Sequence, residues 1–138
     1  MAHGCAVTNV GGRHVLILAG GQKGGEFLTS VEALPLHQDV NIDSDWFALP
    51  DLLQPRRNHA LSVMGGSLFV IGGDTAVYEP MVGFLYQLVS QIETFQMTVE
   101  DEEDDDDDIK WKVSPFKLRS PRTVMNHVVV HNKYCHKN

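Results

Sequence analysis

The chain has 138 residues, 43% hydrophobic and 21% charged, which suits one folded domain. Its net charge of −7 is local: Glu100–Asp108 supplies nine carboxylates, and the remaining nine acidic residues face eleven basic ones. The lack of a basic stripe argues against nucleic acid, and no run of about 18 apolar residues suggests a membrane span.

The first residues, MAHGCAVTNVGG, lack the charged and apolar regions of a signal peptide. Cys5 and Cys135 lie far apart and make no disulfide framework. A reducing, cytoplasmic compartment is the expectation.

In chain order, His3 precedes the strand Cys5-Ala6-Val7, Gly11-Gly12 turns the chain, and Val15–Leu18 runs into Ala19-Gly20-Gly21. Gln22–Ser30 then reads as a loop. A strand entering a Gly-rich loop can cradle phosphate, but here the Gly-x-Gly-x-x-Gly spacing is absent and Lys23 is not followed by Ser or Thr. Lys23, Glu26 and Phe27 are instead candidate partner contacts. Val31–Leu36 is a third strand, carrying Glu32. The polar loop that follows holds Asp39, Asp43 and Asp45, whose spacing does not match a calcium loop. Trp46–Leu49 is an outer strand, ended by Pro50.

Pro55–Gly73, PRRNHALSVMGGSLFVIGG, ends one unit and begins the next. His59–Val63 and Leu68–Ile71 flank Gly65-Gly66-Ser67, a strong hairpin signal, and the second strand closes on Gly72-Gly73. Asp74–Gln91 replaces a short loop with a long apolar one. Val82, Leu85, Tyr86 and Val89 stand at i, i+3, i+4 and i+7, which predicts a short helix after Pro80. Three readings of this insertion stand open: a partner-docking element using Tyr78, Phe84 and Tyr86, a helix capping the sheet, or sequence foreign to the repeat. Glu93 and Phe95 follow, then the acidic run, whose self-repulsion predicts a solvated, disordered loop. Trp111 and Leu118 come next, then Pro121-Arg122, and a third start at Asn126–Val130. His127, His131 and Cys135 are spaced by four, a zinc-like spacing on a helix. The β-branched run between the histidines argues for a strand, on which they stand too far apart for one metal.

His3 to His59 is 56 positions, and His59 to His127 is 68. Self-similarity near 50 residues marks propellers and arrays. In each unit a glycine pair (Gly20-Gly21, Gly72-Gly73) is followed by a glutamate (Glu32, Glu93), a tryptophan (Trp46, Trp111) and Pro-Arg (Arg56, Arg122) before the next histidine. This order resembles the kelch repeat over nearly the whole chain. Phe95 fits the aromatic expected two residues after the glutamate; Leu34 departs from it. The resemblance implies an all-β fold of antiparallel four-stranded propeller blades. Two are complete, and the first strand of a third makes the propeller incomplete. Residues 1–55 form the first blade and 56–122 the second, with an insertion at 74–91 and an acidic loop at 100–108. Residues 123–138 begin a third. Such an array needs further blades or self-association to close a ring.

The resemblance implies a protein–protein interaction module rather than an enzyme. It would use loops on one propeller face, as in the substrate-recognition part of a cullin-type ubiquitin ligase adaptor or in an actin-associated scaffold. No catalytic residue, metal or cofactor is expected. The alternatives are a fragment of a propeller enzyme, either a metal oxidase or sugar-processing, and a truncated chain with no independent function. Arg56, Arg57 and Arg122 carry two readings: carboxylate capture on the face, or structural pairs with Glu32 and Glu93. Recurrence in step favours the structural one.

Overall fold

The computed structural model describes residues 3–37, 39–43, 45–97 and 109–123. Every regular element among them is a β-strand. The first sheet contains β1 (Gly4–Val10), β2 (Arg13–Ala19), β5 (Val31–Pro35) and β6 (Phe47–Leu49), in the order β1-β2-β5-β6. The second contains β7 (Ala60–Met64), β8 (Ser67–Ile71), β11 (Gln91–Gln96) and β12 (Lys112–Lys117), in the order β12-β11-β8-β7. Both are antiparallel meanders of propeller-like form, and they do not close into a ring.

Both sheets open on a hairpin whose two-residue turn is a glycine pair with positive φ. The values are 57° and 81° at Gly11-Gly12, and 55° and 77° at Gly65-Gly66. This turn matches the twist of the flanking strands and demands φ > 0 twice, which is why glycine stands there.

Alternation along the strands then builds a core between the sheets. Ala6, Ile17, Ala19, Val31 and Ala33 of the first sheet are buried against Leu61, Leu68, Val70 and Phe95 of the second, with Trp111 and Leu52 completing the cluster. Large residues on one side meet alanines on the other, so the faces interdigitate. Each large apolar side chain buried here contributes about 1.5–3 kcal/mol.

The two sheets repeat at the level of single backbone hydrogen bonds. Gly21 N–H donates to Arg56 O at 2.8 Å, as Gly73 N–H donates to Arg122 O at 3.0 Å. Leu28 N–H donates to Gly21 O and Val89 N–H to Gly73 O, both at 2.9 Å. Leu52 N–H to Thr29 O and Leu118 N–H to Ser90 O are both 2.8 Å.

Between the second and third strands of each sheet the chain makes a separate two-stranded ribbon. In the first sheet it is β3 (Gln22–Lys23) with β4 (Glu26–Phe27). In the second it is β9 (Asp74–Glu79) with β10 (Gly83–Leu88). The helix expected after Pro80 is therefore not formed. Glu79–Val82 makes a turn instead, with Val82 N–H on Glu79 O at 3.1 Å and Gly83 at φ 90°. The acidic run at 100–108 and the third start with His127, His131 and Cys135 lie outside the described residues.

Candidate protein-binding surface

The β9–β10 ribbon stands out from the second sheet with a nearly continuous apolar surface. Register places Ala76 and Tyr78 of β9 opposite Tyr86 and Phe84 of β10, all on one face. Tyr78, Phe84 and Tyr86 are 62%, 67% and 64% exposed, and Met81 at the turn is 97% exposed. Tyr78 and Phe84 meet edge-on with ring centres 5.3 Å apart. The opposite face carries Val77 and Leu85, which are also exposed.

At its root the ribbon is tied to the first sheet through Arg57. The Arg57 Nε donates to Asp74 Oδ2 at 2.9 Å, and Nη1 donates to Gln22 Oε1 at 2.6 Å. Its guanidinium lies over two rings, 4.6 Å from the centre of Phe27 and 5.3 Å from that of Tyr86. Those rings are themselves 5.9 Å apart. A planar guanidinium can stack on aromatic faces and still donate at its edge, which an ammonium cannot match. Asn58 holds φ 54°, a left-handed value that asparagine tolerates, and its Nδ2 donates to Asp74 Oδ1 at 2.9 Å. Backbone bonds between Arg57 and Asp74, 3.0 Å in both directions, complete the anchor.

The candidate contacts read from the sequence thus fall in three pairs. Phe27 and Tyr86 come together at Arg57. Tyr78 and Phe84 extend the same aromatic face outward. Lys23 and Glu26 lie paired on the short β3–β4 ribbon, both exposed. Gln22, Asp74 and Asn58 were not singled out by sequence. A positional signal was present, because Gln22 and Asp74 each directly follow a glycine pair.

The neighbouring Arg56 does different work. It is fully buried, and Nη2 donates to Glu93 Oε1 at 2.5 Å. Nη1 donates to Gly72 O at 3.0 Å and to Gln91 O at 3.1 Å. Glu93 Oε2 accepts from Leu53 N–H at 2.7 Å, so one ion pair links the connecting segment to β8 and β11. Burial draws the Arg56 guanidinium below its usual range, and the Glu93 charge opposes this. This is the structural reading of Arg56. Arg122 stands at the equivalent place but is exposed, with Nε on Ser120 O at 3.4 Å. Glu32 is half-buried in β5. Gly20, Gly21, Gly72 and Gly73 are buried at the strand ends.

The two tryptophans also differ. Trp111 is buried between the sheets, with Nε1 on Pro50 O at 2.8 Å and Phe95 5.4 Å away. Trp46 is half-buried and bonds within its own loop, to Ile42 O at 2.7 Å. Among the described residues no group of three His, Cys, Asp or Glu side chains could hold a metal ion. No helix among them is long and apolar enough to cross a membrane.

No protein-family profile matches the chain, and no curated protein matches it. Solved structures do: 66 chains match. One is the structure of YjhT, 15% identical with a TM-score of 0.59 over 88% of this chain. This chain spans 29% of YjhT's length. At that identity the likeness shows the fold alone, an all-β, propeller-like arrangement.

Proposed function

We propose that the chain is a protein-binding module of kelch type whose contact surface is the aromatic face of the β9–β10 ribbon. The observation that carries this reading is the exposure of Tyr78, Phe84 and Tyr86 on one face of a ribbon that Arg57 ties to the body of the protein. Tyrosine and arginine are over-represented at binding hot spots because they combine large contact area with a polar handle. An exposed apolar patch rimmed by polar groups is typical of an interaction site. Phe27, with Lys23 and Glu26 beside it, extends the surface onto the first sheet. The kelch resemblance supports a partner that is itself a protein, such as a substrate of a cullin-type ligase adaptor or an actin-associated protein, in the cytoplasm.

A photo-crosslinking residue at position 78 tests the reading, with one at Phe47 as control. Cross-linking of a discrete protein from position 78, abolished by Phe84→Ser and absent from position 47, supports it. Equal labelling from both positions overturns it.

A second reading has its own observation. Phe69, Ile71 and Ile92 form a half-buried apolar row on the face of the second sheet turned away from the first. They occupy the places that Ile17, Ala19 and Val31 hold in the first sheet, where those side chains pack against a neighbour. Further sheets of the same kind, from the same polypeptide or by self-association, would cover that face. Light scattering on the purified chain tests this: a defined oligomer supports it, and a stable monomer with a cooperative melt counts against it. The enzyme alternative is tested by metal analysis, in which stoichiometric copper or zinc would displace the pure binding reading.

A further inference from the structure

His59 sits where the two sheets meet at their first strands, β1 and β7. It is 2% exposed. Its Nε2 accepts a hydrogen bond from Gly4 N–H at 3.1 Å, linking the start of β7 to the start of β1 across 55 residues. An acceptor carries no proton, so the folded protein holds the neutral ring, protonated on Nδ1.

The ring is walled in by backbone. A Cβ added to Gly4 would stand 2.6 Å from Nε2, and one added to Gly20 would stand 2.9 Å from Cε1. One added to Gly73 would stand 2.9 Å from His59 Cβ. Three glycines are thus needed to seat this side chain, and the ring has little room to turn away from Gly4.

We infer that His59 is a pH-operated latch between the two sheets, closed while the imidazole is neutral and released when it is protonated. Protonation would place an N–H on Nε2 directly against the Gly4 N–H, turning a hydrogen bond into a repulsion. Burial, above all, makes the proton less welcome, and the charged and titratable groups facing the ring add to it. They are Arg56, buried three residues earlier, and His3, beside Gly4. The Ala19 carbonyl on β2 favours the charged ring, but less than these effects and burial oppose it. Gly73 closes the third side of the side chain, and Asp74 beside it is held by Arg57 and Asn58. Together these hold the imidazole down to about 4 from an ordinary 6.5.

The sign follows from linkage. Between pH 6.5 and about 4 the unfolded chain binds a proton that the closed latch excludes. The stabilisation is complete above 6.5 and falls as pH drops through that window. The folded-to-unfolded ratio loses about tenfold per pH unit on this account.

The test uses the full chain with Trp46→Phe, so that emission reports Trp111 at the sheet interface. Urea unfolding is followed between pH 7.5 and 4, with and without His59→Gln, which keeps an acceptor but cannot titrate. The expected result is that the His59 protein loses stability on acidification more steeply than the glutamine variant, by about tenfold per pH unit. Superimposable profiles overturn the inference. If the variant does not fold, the His59 ring is titrated by NMR in the parent protein. Proton uptake that coincides with the change in Trp111 emission, well below pH 6, supports the latch. Uptake near 6.5 with Trp111 unchanged overturns it.

Discussion

The two ribbons occupy the same place in two repeated sheets and share a root, yet their outer parts have little in common. In each, a backbone N–H returns to the carbonyl of the second glycine of a pair, from Leu28 to Gly21 and from Val89 to Gly73. Beyond that bond, β3–β4 has strands of two residues and carries Lys23 and Glu26 outward. The β9–β10 ribbon has strands of six residues and exposes eight large apolar side chains, from Val77 to Leu88. The sheet therefore specifies where a ribbon leaves and re-enters, and leaves its length and chemistry free. Such a surface works against solubility, which is why the proposed contact surface is placed there. The comparison makes a sharp claim: changes at the root cost folding, and changes at the tip cost binding.

The largest effect is expected at Arg56. Arg56→Met would leave Glu93 buried without its counter-ion and cost about 3–5 kcal/mol. Urea unfolding should show a large drop in midpoint or loss of the cooperative transition. Arg56→Met with Glu93→Leu should recover much of the loss, because the penalty belongs to the orphaned charge. A single variant that unfolds like the parent would break the distinction between root and tip.

Trp111→Ala should come close behind, at about 3–5 kcal/mol, since it empties the space between the sheets and frees the Pro50 carbonyl. Trp46→Ala should cost less, about 1–2 kcal/mol, because that ring is half-buried and bonded within its own loop. Equal losses would mean that the two sheets use their tryptophans alike.

How far these assignments could be read in advance depends on the kind of signal. The hairpins at Gly11-Gly12 and Gly65-Gly66 were legible because a turn is a local event written in adjacent residues. The Arg56–Glu93 contact was legible as one of two readings, because both residues recur in step. For the β9–β10 ribbon a short helix was one of three readings left open, and the structure forms a hairpin there instead. Val82, Leu85, Tyr86 and Val89 satisfy a helical spacing, and with both faces of the ribbon exposed there is no inside–outside alternation to oppose it. Gly83, inside that stretch and at φ 90°, was the local sign of a turn. The stacking of Arg57 on Phe27 and Tyr86 joins residues 30 and 29 positions from it, and no local pattern encodes such a contact.

Arg57 lies between root and tip, and its variant sharpens the boundary. Arg57→Lys keeps the charge near Asp74 but loses the planar stack and the donor to Gln22. With the guanidinium partly open to solvent, the expected loss is about 1 kcal/mol. Ribbon amides should exchange faster with solvent while those of β8 and β11 stay protected. Uniform acceleration across the second sheet would mean that Arg57 supports the fold rather than the ribbon.

The smallest effect on folding is expected at the tip. Tyr78→Ser with Phe84→Ser removes an exposed edge-on pair whose mutual contact contributes about 0.5–1.5 kcal/mol when sheltered and less in water. Exposed substitutions of this kind usually change stability by about 0.5 kcal/mol or less. Binding of an apolar reporter dye should fall, solubility should rise, and any self-association through this face should vanish. A loss of several kcal/mol would place the ribbon in the core and undo the comparison. Unchanged stability with unchanged association would leave the sheet correctly described and move the binding surface elsewhere. The half-buried row of Phe69, Ile71 and Ile92 would then be the face to mutate next.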